Sequence, residues 1–233
     1  MMQTLKLYGL YLFCLLIRPE AAFCQDATDL VQKVKAKLDQ VNDYQADGTM
    51  KTNVSFLKVP QAQVKVYFRK PDNFRIRNDQ GISLVPKGAV SISLNNLMKG
   101  RFTALDMGTE TADGQKVRVI KLLPADDNGE IVLSTLYVDE GRLLILKART
   151  TTRESGTYEV DMYYGKYAAY ALPDRIVFTF NTKDYKLPKG ITFDYDDGSR
   201  KNTENKVAET KGRVEIIYHD YLINKGVPDA LFH

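Results

Sequence analysis

The feature that most constrains this chain is a change of hydrophobic period near Tyr44. Before it, residues 26 to 41 place Leu30, Val31, Val34, Leu38 and Val41 at three- and four-residue intervals, the pattern of an amphipathic helix. Asp26 or Thr28 can cap that helix, and Lys33, Lys35 and Lys37 turn towards water. After it the period is two: Val64, Val66 and Phe68 share one face, while Lys65, Tyr67 and Arg69 share the other. Strands are expected near 45–57, 62–70, 73–78, 116–123, 130–138, 142–152, 156–164, 174–182, 190–195 and 211–221. Turn residues separate them at Asp113–Gly114, Asp127–Gly129, Glu140–Gly141, Ser155–Gly156 and Asp197–Gly198, so most neighbours pair antiparallel.

Residues 84–108 break the alternation. Leu94, Leu97, Met98, Phe102, Leu105 and Met107 are apolar without a strict period and are interrupted by Gly100, which reads as short helices or a helix and loop. The polar stretch from Asp196 to Gly212 reads as one loop. The expected fold is mainly β with a few helices, an α+β arrangement built on one antiparallel sheet.

A sheet of about ten strands must curl, and one face must be buried against something. One helix of about 16 residues and a short helical segment span too little to cover such a face densely. Part of it could therefore line an apolar cavity. The candidate lining is Val64, Val66, Phe68, Phe74, Ile76, Leu133, Val160, Met162 and Tyr164, with Leu97, Met98, Phe102 and Leu105 as a lid. The alternative is that these side chains simply pack on each other, since any half-buried strand alternates in this way.

The first 24 residues read as a secretory leader. Lys6 supplies positive charge, Leu7 to Ile17 is an apolar run, and Ala22 and Cys24 suit cleavage before Gln25. Arg18, Pro19 and Glu20 end the run too early for a membrane span. Removing 24 residues from 233 leaves 209 in one expected domain, residues 25–233. Both cysteines, Cys14 and Cys24, lie in the leader, so the exported domain would fold without a disulfide. Lipid anchoring at Cys24 is the competing reading, but Phe23 stands where a lipobox needs a small residue.

Several function classes are disfavoured. The 33 Lys and Arg are interspersed with 29 Asp and Glu, so no basic stripe suited to nucleic acid forms. His219 and His233 have no second ligand at metal spacing, and no nucleophile elbow, phosphate loop or dinucleotide fingerprint occurs. Glu159 and Asp161 alternate with Val160 and Met162 as a water-facing row does, whereas Asp126, Asp127, Asp194, Asp196 and Asp197 border turns. The Asp194–Gly198 cluster fails as a calcium loop because Asn205 occupies the place of the closing Glu. Tyr163, Tyr164, Tyr167 and Tyr170 could form a sugar platform or a partner surface, or simply end a strand. The expectation is a protein that is not an enzyme and needs no cofactor or metal.

Three segments together resemble the periplasmic lipoprotein-carrier family, LolA and its relatives. They are DLVQKVKAKLDQVNDYQADGTMK from Asp29 to Lys51, FRKPDNFR from Phe68 to Arg75, and LPKGITFD from Leu187 to Asp194. The resemblance implies an incomplete antiparallel barrel of about ten or eleven strands, with helices over its open side, that carries the acyl chains of lipoproteins. It also implies an inner-membrane lipoprotein-release transporter and an outer-membrane acceptor as partners, a periplasmic location and a monomer.

The family's lid latch is an Arg directly before the proline. Here Lys70 holds that place and Arg69 precedes it, which leaves Arg69, Lys70 and Arg75 as latch candidates or as solvated strand-end charges. The absence of Trp and an extra strand from Val214 to Leu222 are further departures. A lipid- or envelope-stress-sensing module that regulates a membrane partner is the alternative expectation, and a glycan-active enzyme a third.

Overall fold

A computed structural model describes residues 21–53, 61–71, 73–78, 100–126, 129–154, 156–181 and 211–232. The expected leader before Ala21, the lid candidates Leu97 and Met98, the expected strand at 190–195 and the segment Leu187–Asp194 lie outside the described residues.

The helical period at the start becomes α1 (Ala21–Leu38). Lys35 and Lys37 sit in its last turn, where positive charge complements the carbonyl end of the helix dipole. Its apolar stripe is Ala27, Leu30, Val31 and Val34, all buried. Val41, expected as the last helical residue, instead follows a terminating turn and is buried beyond the helix end.

Ten strands follow: β1 (Asp43–Asn53), β2 (Ala62–Arg69), β3 (Asn73–Asn78), β4 (Phe102–Ala112), β5 (Gln115–Pro124), β6 (Ile131–Asp139), β7 (Leu144–Thr152), β8 (Thr157–Tyr163), β9 (Arg175–Asn181) and β10 (Lys211–Ile223). They form one antiparallel sheet in the order β3-β2-β1-β10-β9-β8-β7-β6-β5-β4. The sheet is open, with β3 and β4 at its two edges. Consecutive strands are sheet neighbours except β3 and β4, which lie at opposite edges, and the last strand, β10, joins the two meanders by pairing with both β9 and β1.

One face of the sheet carries the core that the strands share with α1. Met50 of β1, Val64 and Val66 of β2, Ile76 of β3, Ala104 of β4, Ile120 and Leu122 of β5, Leu136 of β6, Ala148 of β7, Val160 of β8, Phe178 of β9 and Ile216 of β10 form one core with the helix. α1 lies against β4, near the open edge. Two hydroxyls drawn into this core satisfy each other, Ser134 Oγ and Thr150 Oγ1 at 3.0 Å across β6 and β7.

One expectation is overturned. Residues 102–108, expected in short helices or a loop, belong to the edge strand β4. Ala104 and Phe102 turn inwards there, while Leu105 and Met107 occupy the other face and stay exposed. Apolar residues on both faces erase the two-residue rhythm, and a bulge between Asp106 and Thr109 shifts what is left of it.

That bulge is built from identifiable parts. Gly108 has φ +87°, a conformation open to glycine, and its N–H donates to Asp106 Oδ1 at 2.8 Å. Arg118 of β5 donates Nε–H to the same oxygen at 2.8 Å and a second N–H to Oδ2. Burial opposes ionisation of Asp106, yet the Arg118 hydrogen bonds and charge and the Gly108 N–H outweigh it, so the carboxyl titrates below its usual range.

Two predictions follow from these constraints. At Gly48, where the β1–β10 register shifts, an added Cβ would lie 2.7 Å from the Ile217 carbonyl oxygen. Gly48→Ala should therefore cost more than about 2 kcal/mol in urea unfolding, the size expected when backbone must move. Asp106→Asn should lose about 1–3 kcal/mol at neutral pH. Because the folded pKa lies below the unfolded one, near about 3.9, that difference should be full above it and vanish as pH falls through the folded value. A pH-independent deficit would show that the Asp106 charge is not what holds the bulge.

Candidate functional site

Alternation along β2 and β3 sends Val64, Val66, Phe68, Phe74 and Ile76 to the concave face. The register confirms it, pairing Val66 with Ile76 and Phe68 with Phe74. Val64, Val66, Phe68 and Ile76 are buried, whereas Phe74 and Phe102 are half-buried and pack against the core from the two open edges. Val160 and Met162 of β8 share this face, and Tyr164 packs against it.

Leu133 and Leu105 do not join them. Leu133 neighbours the buried Ser134 in β6 and pairs with Thr151, so it stands on the outward face. Leu105 stands outward beside Ala104 and is 42% exposed. Choosing lining residues by apolarity alone missed the parity that the register imposes.

Aromatic side chains close the end of the concave face where β1 begins and β10 finishes. Tyr44 stacks on Phe68 with ring centroids 5.3 Å apart and meets the edge of Tyr221 at 5.3 Å. Tyr167 and Tyr218 complete the group against Tyr221. Tyr221 donates its hydroxyl to the Pro173 carbonyl at 2.7 Å, and Tyr164 donates to the Ile145 carbonyl at 2.9 Å. Burial pushes the phenols of Tyr44, Tyr164, Tyr218 and Tyr221 well above their ordinary range, so they remain neutral donors.

This aromatic end was missed in the sequence because its members are far apart along the chain. The sequence cluster Tyr163, Tyr164, Tyr167 and Tyr170 splits instead: Tyr164 and Tyr167 turn to the core, and Tyr163 and Tyr170 stay exposed.

The three basic latch candidates separate by face. Lys70 reaches the helix: its ammonium donates to the Asp39 carbonyl at 2.6 Å and lies 3.4 Å from the Asp39 carboxylate. Burial opposes the Asp39 charge, but Lys35 and Lys70 overcome it and hold that carboxyl below the usual range. Lys37 donates to the Arg142 carbonyl at 2.7 Å, so the end of α1 is tied both to the β2–β3 turn and to the β6–β7 turn.

Arg69, one residue along, points to the opposite face. It donates to the Val227 carbonyl at 3.1 Å, pairs with Asp229 and lies 5.1 Å over the Phe232 ring, clamping the chain that follows β10. Arg75 pairs in register with Tyr67 and shares the outward face of β3. His219 is exposed on β10, with its Nε2 2.8 Å from Thr49 Oγ1.

No family model matches the sequence, and no curated protein matches it. Solved structures do. An outer membrane lipoprotein-sorting protein domain from Vibrio parahaemolyticus superposes with a TM-score of 0.58 at 12% identity, covering 90% of this chain and 97% of that one. A DUF1329 family protein from Desulfovibrio piger superposes with a TM-score of 0.52 at 13% identity, over 91% of this chain and 97% of its own. A LolA superfamily protein from Nitrosomonas europaea gives a TM-score of 0.52 at 13% identity, over 87% and 97%. The open ten-stranded antiparallel sheet with its amino-terminal helix is the fold of these LolA-superfamily and lipoprotein-sorting domains.

Proposed function

We propose that this protein is a periplasmic carrier that takes up the acyl chains of lipoproteins between α1 and the concave face of its sheet, and moves them from the inner to the outer membrane. The observation that carries this reading is the open sheet itself. Ten strands curl round a single described helix, yet β3 and β4 stay at separate edges, and half-buried Phe74 and Phe102 stand on those edges facing the core.

The physical need for such a carrier is large. Exposing acyl chain to water costs about 0.8 kcal/mol per CH₂, so two or three chains of about 15 carbons oppose transfer by about 24–36 kcal/mol. A carrier removes that barrier by offering an apolar enclosure. Val64, Val66, Phe68, Phe74, Ile76 and Phe102 would supply it, with Leu97 and Met98 as the lid. Cleavage of the leader before Gln25 would keep every described buried residue of α1, since Ala27 is the first of them.

Entry requires α1 to yield, and its carboxyl end is held by Lys70 and Lys37. Lys70 would act as the latch in place of the family's arginine, and Arg69 would hold the carboxyl-terminal chain instead. The inner-membrane release transporter and the outer-membrane acceptor are the partners this reading requires.

The deciding experiment is native mass spectrometry of the protein recovered from a periplasmic extract. A carrier should bear acylated cargo, and Phe102→Glu, which places charge at the half-buried edge, should lose that cargo while keeping its circular dichroism. Recovery without lipid, or cargo unaffected by the substitution, would remove the concave face from the function. Copurification of a single membrane protein without lipid would favour the sensing module.

Lys70→Ala should lower stability by about 1 kcal/mol, the ordinary contribution of such a hydrogen bond, and speed the uptake of a fluorescent fatty acid in stopped flow. Unchanged uptake kinetics would show that the helix end is not a gate.

A further inference from the structure

The outward face of β6–β8 carries a second feature, unconnected with the acyl chains. Tyr137, Lys147 and Asp161 form a cross-strand row there, on the other side of the sheet from Leu136, Ala148 and Val160. The end of the β4–β5 hairpin, Glu110 to Gln115, borders with this row a half-open cavity of about 620 Å³. Arg142 and Leu146 line the cavity beside the β6–β7 turn; at the end of β8 the exposed Tyr163 lines it, and the core residues Met162 and Tyr164 on either side of Tyr163 border it as well. The Asp106–Gly108 bulge lies in the same strand as Glu110 and adds twist just before this wall, as bulges do.

The volume falls within the range of about 300–1,000 Å³ typical of small-molecule sites. What the lining offers narrows the ligand. Its two cations are already engaged: Arg142 donates to Asp139 Oδ2 at 2.6 Å and to Gln115 Oε1 at 2.8 Å, and Lys147 lies 3.2 Å from Glu159 and 3.6 Å from Asp161. Among the described residues the Glu110 and Asp113 carboxylates have no hydrogen-bond or ion-pair partner, so they remain acceptors. With its oxygen taken by Arg142, Gln115 can offer a ligand only its amide N–H donors and the oxygen's remaining lone pair. The Tyr163 ring is held by the Arg175 guanidinium, 3.7 Å from its centroid.

Three carboxylates against two paired cations disfavour an anion, and this density of charge excludes an acyl chain. Acceptors, an amide donor and a tyrosine ring in one half-open cavity suit a ligand that presents several hydroxyls and an apolar ring face. Burial raises the Asp161 carboxyl above its usual range, and Glu159 and Asp113 add to the effect against the pull of Lys147, consistent with a cavity short of positive charge.

We propose that the cavity under the β4–β5 hairpin is a carbohydrate site that takes a neutral or amino sugar of one or two rings. Its place on the outward face leaves it accessible whether or not the concave face is filled, so the two sites can be tested apart.

The test is a ¹⁵N-resolved NMR titration of the full folded domain at millimolar ligand, with N,N′-diacetylchitobiose, maltose and glucosamine as saccharide probes. Inorganic phosphate and a trilysine peptide serve as the competing chemistries. At least one saccharide should shift the amides of Gln115, Tyr137, Lys147, Asp161 and Tyr163. Tyr163→Ala should weaken that binding about tenfold or more, and Tyr170→Ala, at an exposed tyrosine outside the cavity, should leave it unchanged. Asp113→Asn, which keeps a residue tolerant of φ +47° at the hairpin turn, should also weaken it and guards against a folding defect in the tyrosine variant. No shift with any saccharide, shifts that survive both cavity substitutions, or stronger binding of phosphate or trilysine would each overturn the assignment.

Discussion

The structure depends on the pairing of its first and last strands. β1, β2 and β3 form one meander and β4 to β9 another, and within the described sheet β10 alone hydrogen-bonds to both. Ten residue pairs tie β1 to β10, from Tyr44 opposite Ile223 to Asn53 opposite Arg213. Without them the described sheet would divide into two separate meanders. The close approach at Gly48 and the aromatic group around Tyr44 and Tyr221 belong to this seam. A contact between the two ends of a chain is slow to form, because loop closure is paid before the strands reward it.

The same alternation gives the sheet two unlike surfaces. Inward positions are mostly aliphatic and aromatic and share one core with the helix. Outward positions carry ion pairs such as Lys147 with Glu159 and Arg175 with Glu215. These half-exposed pairs add little stability individually. Their effect is to keep that face wet beside an apolar interior. Where the alternation is interrupted, the surface changes character: the β4 bulge precedes the outward cavity, and the β7 bulge at Leu146 places that side chain in its lining.

Nine of the observed strands match expected positions closely because turn residues bound them and most of their length alternates. β3 was placed at its observed bounds, and β10, which looked like an appendage, proved to be the central connection. β4 was hidden because Leu105 and Met107 face water while Phe102 and Ala104 face the core, which removes the pattern that marks a strand. Leu133 was misdirected for a related reason, since β6 is apolar on both faces at its start. The basic pair was legible in outline: a one-residue shift put Arg69 and Lys70 on opposite faces, as strand geometry requires.

By itself the sequence determined the local periods: one helix that must bury a stripe, strands that must bury one face, and turns that make neighbours antiparallel. These follow from backbone geometry and the transfer of side chains out of water within a few residues of chain. Only the tertiary structure decided which strands sit at the edges, which parity faces inwards, and which distant tyrosines close one end. Those outcomes depend on long-range pairing of β1 with β10 and on the lie of α1, and no local period encodes a contact between residues nearly two hundred positions apart.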